Sequence, residues 1–210
     1  MGRIEKICSY IERSDTFADI GCDHGYCTRY ALQSGMCGSA IIADISSKSL
    51  NKAEELLAPY IEDGRCRAVC CDGLRDIPRD IGQVLIAGMG GEEIIKILTE
   101  GFIPEKFIFQ PMKNADKLRR FLLSSGCEIT VDDIFKDGKF YFIIKGKREG
   151  NRLSYTAEEY AFGRDSLNNP VFRDYVCEEL AKREAYLKDC GGDGYRKILN
   201  EIKFLTRVVK

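Results

Sequence analysis

The run Asp19-Ile20-Gly21-Cys22-Asp23-His24-Gly25 follows a short apolar stretch, at a point where a strand would turn into a helix. Glycine at 21 and 25 lets the backbone come close to a bound ligand. A turn built for a pyrophosphate carries Gly-x-Gly-x-x-Gly and seats the phosphates on a helix N-terminus, where a carboxylate would repel them. Asp19 and Asp23 suit a ligand with positive charge and no phosphate instead. Two further acids end later apolar runs. Asp44, followed by Ile45, could accept both hydroxyls of a ribose. Asp72, followed by Gly73, could accept the exocyclic amine of an adenine. Alone, each acid reads as a solvated loop residue; together they outline a site for a cationic nucleoside.

S-adenosyl-L-methionine has that chemistry, with a sulfonium, an α-ammonium and no phosphate, and it supports methyl transfer. Enzymes that methylate an exocyclic amine commonly carry Asn/Asp-Pro-Pro-Tyr after the fourth strand, because that nitrogen's lone pair is delocalised and its hydrogens need acceptors. The corresponding stretch here is Ala87-Gly88-Met89-Gly90-Gly91, with no acceptor side chain and no ring. It suits a ring nitrogen such as N1 of adenine, whose in-plane lone pair needs no deprotonation, so positioning and electrostatics can carry the rate. Gly88, Gly90 and Gly91 are expected to clear space for the base, and Gly88 and Met89 to border the cofactor. The methylated product is a cation. Asp23 is the carboxylate expected to stabilise it, while His24 either positions base or cofactor or is a hydrogen-bonded structural residue. Gln110 is a candidate wall of the base site. Met112 and Tyr26 read either as pocket residues or as core.

Such residues need strands that end side by side. Apolar runs at 16–20, 39–45, 67–71, 84–87 and 106–109 predict strands. Helical spacing predicts helices over 3–13, 25–34, 48–61 (with Ser46 as N-cap), 92–99 and 115–124. The alternation implies a parallel sheet covered on both faces. Runs at 128–135 and 139–145 flank Asp137-Gly138, a hairpin signal that adds an antiparallel strand. Dinucleotide-binding domains lack that strand as a rule, whereas the methyltransferase version of the sheet ends with it. The fold expected is therefore α/β, a Rossmann-like class I methyltransferase sheet with an antiparallel last strand.

Residues 146–167 read as a polar connector. Asn169-Pro170 then starts a helix, and the glycines within 191–194 interrupt it. Stripes of Phe172, Val176, Leu180 and Leu187, then of Tyr195, Ile198, Ile202, Leu205 and Val209, read as a C-terminal helical hairpin, coiled-coil-like. It either projects or packs back on the sheet. The division expected is a cofactor-binding catalytic domain over 1–147 and a helical hairpin domain over 148–210.

With 210 residues, a formal net charge of −1 and a pI near 6.0, the chain has no global basic field. Its ten cysteines include no C-x-x-C pair and His24 is the one histidine, so no metal is expected and the thiols read as free, small apolar residues. No run approaches the ~20 apolar residues of a membrane span and no signal peptide is evident, so a soluble cytoplasmic protein is expected. Lys113, Lys117, Arg119 and Arg120 form one basic cluster beside the candidate rim. More lie in the tail (Arg152, Arg164, Arg173, Lys182, Arg183, Arg196, Lys197, Lys203, Arg207 and Lys210), but nearly as many acids accompany them and solvated helix faces account for most.

Residues 19–25 with Tyr26, Ala43-Asp44-Ile45, Cys71-Asp72-Gly73-Leu74, Ile86-Ala87-Gly88-Met89-Gly90-Gly91 and Gln110-Pro111-Met112 resemble the bacterial tRNA (adenine(22)-N1)-methyltransferase family. The likeness runs to about Lys147; the hairpin fits the family's C-terminal coiled coil in pattern only. Asp23 stands where the generic acid-x-Gly-x-Gly-x-Gly pattern has its middle glycine. The resemblance implies methyl transfer to N1 of an adenine in the D-arm region of tRNA, in a bacterial cytoplasm, with the basic cluster and the hairpin meeting the RNA. A paired adenine must first be opened, at a cost of roughly a few kcal/mol. Two other readings stay open: a methyltransferase for a small metabolite, favoured by the near-neutral charge, and a non-catalytic RNA- or partner-binding protein of the same fold. The sequence leaves the oligomeric state open.

Overall fold

A computed structural model describes residues 2–150, 154–189 and 191–209. Arg152 and Lys210, named above, and Cys190, one of the ten cysteines, lie outside them. The strands are β1 (Ser14–Ile20), β2 (Cys37–Asp44), β3 (Cys66–Cys70), β4 (Gln83–Met89), β5 (Lys106–Pro111), β6 (Glu128–Asp137) and β7 (Lys139–Lys147). They form one sheet in the order β3-β2-β1-β4-β5-β7-β6. The first five are parallel, and β7 runs antiparallel to both β5 and β6. Gly138, at φ +65°, makes the hairpin turn. The strand order reverses at β1, which has β2 on one side and β4 on the other. Crevices form beyond the carboxyl ends of strands at such a reversal.

Two apolar layers hold the sheet between helices, because its central strands are buried on both faces. On one face α1 (Arg3–Cys8), α2 (Tyr26–Gln33) and α3 (Ser47–Glu62) cover Phe17, Ile42, Leu85 and Ile108 with Ile7, Leu32 and Leu57. On the other, α4 (Gly91–Glu100) and α5 (Ala115–Ser124) set Ile94 and Leu118 against Ile20, Ile86, Phe107 and Phe109. Ser46 caps α3, its hydroxyl accepting from the Ser49 N–H at 3.3 Å. Helix α1 is shorter than its apolar spacing suggests. After Cys8 the Tyr10 and Ile11 N–H groups bond back to Ile7 and Cys8 in tight turns, which bury Ile11 without further helix.

The connector contains structure that its polarity hid. A short helix, α6 (Ala157–Phe162), starts with a capping box between Thr156 and Glu159. Beyond a single turn at Ser166–Asn168, the Asn169 side chain accepts from the Val171 N–H at 2.9 Å and opens α7 (Pro170–Asp189). The returning helix is α8 (Gly192–Val209). Arg183 on α7 pairs with Glu201 on α8 at 2.9 Å. The base of this hairpin packs on β6 through Phe162, Phe172, Val176, Leu205 and Ile134, while Tyr186 toward the turn is 66% exposed. The hairpin thus packs at one end and projects at the other.

Candidate active site

A cleft opens where β1, β2 and β4 end, in two adjoining compartments that share Gly21, Asp44 and Met89 as walls. The larger, about 340 Å³, is bordered by Asp19, Asp23, His24, Tyr26, Ala87 and Gly88. The smaller, about 140 Å³, is bordered by Ile45, Asp72, Gly73, Leu74 and Ile97. Together they fall within the ~300–1,000 Å³ usual for a small-molecule site. Asp23, Asp44 and Asp72, far apart in sequence, therefore line one cleft, with Asp44 facing both parts.

The turn after β1 is shaped by its backbone. Gly21 sits at φ +71°, a conformation that favours glycine, and a Cβ there would displace the end of the Met89 side chain that borders both compartments. The Gly21 and Cys22 N–H groups bond to the Ala43 carbonyl at 2.8 and 3.2 Å, fixing the turn to the end of β2. Asp23 adopts φ +47°, the left-handed region, which explains why related turns carry glycine there. Its side chain is 67% exposed and lies 3.8 Å from the His24 imidazole. His24 in turn stacks on Tyr26 at 5.5 Å. Tyr26 is 45% exposed at the rim and does not belong to the core.

Asp19 is buried behind the turn and accepts from the Thr28 hydroxyl at 2.9 Å. Burial pushes its carboxyl up to about 6, against the opposing pull of Thr28. Asp44 accepts from the Ser46 N–H at 2.8 Å, which aims one oxygen and leaves the other to the cleft. Asp72 lies 3.9 Å from Arg75, whose other partner is Glu100 at 2.9 Å. Ile45, 71% exposed, stands at the rim of the smaller compartment. These walls fit S-adenosyl-L-methionine: acids for a ribose and an amine, an apolar surface beside them, and carboxylates where a sulfonium and an ammonium would lie.

Other expected residues fall elsewhere. Gly25 caps α2 at φ +71°; a Cβ there would meet Leu57 and Ala53 of α3 at 3.0 and 3.1 Å, so its bareness serves helix packing. Of Gly88, Gly90 and Gly91, at and just beyond the end of β4, Gly88 alone borders the cleft, at φ +82° and at an irregularity in the β4–β5 pairing. A Cβ on Gly90 would meet the Lys113 chain at 3.0 Å, and one on Gly91 the Asn114 carbonyl at 2.3 Å. Both make room for the loop after β5 and not for a base. Gln110 is fully buried, donating to the Pro111 carbonyl at 3.2 Å, and lines neither compartment. Met112 is exposed at the rim of β5.

The basic cluster divides. Lys113, Lys117 and Arg120 are exposed, Lys117 pairing with Glu92 at 2.6 Å and Arg120 lying over the Tyr160 ring. Arg119 cannot meet RNA. It is fully buried, shares its Nε–H between both oxygens of Asp132 at 2.9 and 3.0 Å, and donates from Nη1 to the Tyr160 and Ala161 carbonyls. Its place on the inner face of α5, between Leu118 and Leu122, was the available sign. Sequence reasoning also missed Arg3, whose side chain reaches the larger compartment. Among the described residues no three His, Cys, Asp or Glu side chains gather as metal ligands, and no helix is long and apolar enough to cross a membrane. The nine described cysteines are free.

A family model described as a methyltransferase domain matches residues 1–144. A Mycoplasma pneumoniae protein named "Putative tRNA methyltransferase" is 30% identical over 162 residues, 75% of this chain and 76% of that protein. The tRNA (adenine(22)-N(1))-methyltransferase of Bacillus subtilis is 28% identical over 160 residues, 73% of this chain and 67% of that protein. The solved structure of M. capricolum TrmK in complex with S-adenosyl-homocysteine has a TM-score of 0.89 at 23% identity, over 99% of this chain and 98% of that one. That likeness extends the shared fold through the C-terminal helices. The chain belongs to the methyltransferase-domain family, among the relatives of the bacterial tRNA (adenine(22)-N1)-methyltransferases.

Proposed function

We propose that this protein transfers a methyl group from S-adenosyl-L-methionine to N1 of an adenine in tRNA, the adenine at position 22, in a bacterial cytoplasm. The carrying observation is a cleft lined by Asp23, Asp44 and Asp72 that opens at Gly88, with a wall at the end of β4, Ala87-Gly88-Met89, that itself carries no acceptor side chain for an exocyclic amine. When bound, the cofactor supplies an electrophilic methyl group. Asp72 and Gly73 would hold its adenine beside Ile45, Asp44 its ribose hydroxyls, and Gly21, Met89 and the Asp19 turn its methionyl end.

The rest of the chemistry is positioning. N1 needs no proton removed, so the protein has to present an unpaired adenine edge-on at Gly88, and the space left by that glycine admits it. Asp23 stands at the same mouth and its carboxylate faces the charge that develops on the base. The carboxylate is exposed and its backbone lies in the left-handed region, and backbone of that kind recurs at functional sites. His24 and Tyr26 form a stacked pair beside it that can hold the base plane.

We assign residues 1–147 to cofactor binding and catalysis and 148–210 to holding tRNA, with Lys113, Lys117 and Arg120 as phosphate contacts between them. Incubation of unmodified tRNA with tritiated S-adenosyl-L-methionine tests the activity. Label in tRNA with a D-arm adenine, lost when that adenine is replaced, is expected. Label carried only by small metabolites supports the metabolite reading instead, and no cofactor binding supports a non-catalytic role.

A further inference from the structure

We propose that the groove between α1 and α2 receives a nucleobase adjacent to the target adenine in the tRNA, stacked on Tyr30, with Arg29 on the phosphate that joins the two nucleotides. The inference rests on reading tRNA as the substrate. The groove, about 520 Å³, is walled by Ile4 and Cys8 of α1 and by Tyr26, Arg29 and Tyr30 of α2. Ile4 and Tyr26 also wall the larger compartment of the cleft. What fills the groove therefore lies beside what fills the mouth, and in a polynucleotide the neighbour of a base is another base. Drawing an adenine out of a helix unstacks the bases next to it, so a surface that stacks a neighbour offsets part of the opening cost.

The side chains suit that occupant. Tyr26, Arg29, Tyr30 and Gln33 recur at the spacing of one helix face on α2. Tyr30 is 39% exposed while Ala31 and Leu32 next to it are buried, so its ring is offered to solvent and not to the core. Arg29 lies 5.7 Å over the Tyr26 ring, which itself stacks on His24, so planar groups run from the mouth of the cleft to the groove. Arg29 makes no ion pair among the described residues, which leaves its donors for a phosphate. Glu5, the acid of the groove, accepts from the Gly2 N–H at 3.0 Å. With Ser9 and Gln33 it edges the groove with groups that can pair with the edge of a base. Flat rings, an unpaired guanidinium and a wall shared with the cleft favour a stacked nucleotide over a protein segment.

Steady-state methylation of an unmodified tRNA transcript by the full chain, beside calorimetry with S-adenosyl-L-homocysteine, tests this. Tyr30→Ala is expected to raise the KM for tRNA about 5- to 50-fold and to leave the Kd for S-adenosyl-L-homocysteine within about twofold. Tyr30→Phe keeps the ring and should stay within about threefold of the unaltered protein. Tyr30→Leu, apolar and ringless, secures the comparison if Tyr30→Ala folds poorly. Transcripts with an abasic nucleotide on the 5′ or the 3′ side of the target adenine identify the occupant. One of the two should raise the KM of the unaltered protein and add nothing further for Tyr30→Ala. Arg29→Gln should flatten the salt dependence of tRNA binding by roughly one phosphate contact. Full additivity with both abasic transcripts overturns the proposal, as does an unchanged KM for Tyr30→Ala, which leaves the groove to a protein partner. Equal weakening of cofactor and tRNA overturns it as well and makes Tyr30 a packing residue of α2. If the unaltered protein labels no tRNA, the tRNA reading itself fails and takes this inference with it.

Discussion

Replacing Arg119 by methionine removes a guanidinium that has no solvent exposure and that grips both oxygens of Asp132 at 2.9 and 3.0 Å. The same group donates to the Tyr160 and Ala161 carbonyls of α6 at 3.2 and 3.3 Å and lies 4.9 Å over the Phe142 ring. Methionine keeps much of the stem's apolar contact, so the loss is mainly electrostatic. Burial already holds the Asp132 carboxyl above its ordinary value, even with Arg119 beside it. Leaving one member of a buried pair alone costs roughly 3–5 kcal/mol. For a chain of this size that corresponds to a fall in Tm of about 6–20 °C. The double variant Arg119→Met/Asp132→Leu leaves no orphan charge and should recover at least half of the loss. Urea unfolding of the unaltered protein, both single variants and the double measures this, beside tRNA affinity at several salt concentrations. A loss below about 1 kcal/mol, together with a shallower salt dependence of tRNA binding, would refute the reasoning and return Arg119 to the RNA surface.

Three further outcomes are expected. Asp44→Ala should raise the Kd for S-adenosyl-L-homocysteine by roughly 100-fold, since two hydrogen bonds to a carboxylate are lost; calorimetry giving an unchanged Kd would remove Asp44 from the ribose site. Asp23→Gly should keep or raise stability by about 1 kcal/mol, because glycine accepts φ +47° freely, and should slow methyl transfer by at least about tenfold in single-turnover assays; unchanged turnover would show that the carboxylate does no chemistry. Asp19 governs a pH dependence. Its folded carboxyl sits at about 6, above its ordinary 3.8, so its stabilising contribution is full below the lower value and is lost as pH rises through the upper. The stability difference between the unaltered protein and Asp19→Asn should therefore fall by roughly 2–3 kcal/mol between pH 4 and 7; a flat difference in urea midpoints would contradict the burial argument.

Much of the fold was legible because its signals are local and periodic. Buried parallel strands read as short apolar runs, Asp137-Gly138 announced the hairpin, and Asn169-Pro170 announced α7 with its cap. What proved illegible depends on partners distant in sequence. Arg119 reads as surface charge until Asp132 is known to lie opposite it. Gly90 and Gly91 read as space for a base until the loop at Lys113–Asn114 is seen to occupy that space. Arg3 reads as one more charge on a leading helix, and only the bond from its N–H to Asp137 and the strand order bring it near Gly88. Helix α6 is different: Thr156 followed by Glu159 is a local capping signal that the polar surroundings obscured. Tyr26 follows the same logic, because a helix's first turn faces the cleft whenever the preceding loop does.

The most direct measurement is nucleoside mass spectrometry of unmodified tRNA after incubation with the protein and S-adenosyl-L-methionine. A cleft whose wall at the end of β4 carries no acceptor side chain, with a carboxylate at its mouth to meet the developing cation, predicts 1-methyladenosine, mapped to position 22. Formation of N6-methyladenosine, or of no methylated adenosine at all while the cofactor binds normally, would contradict it.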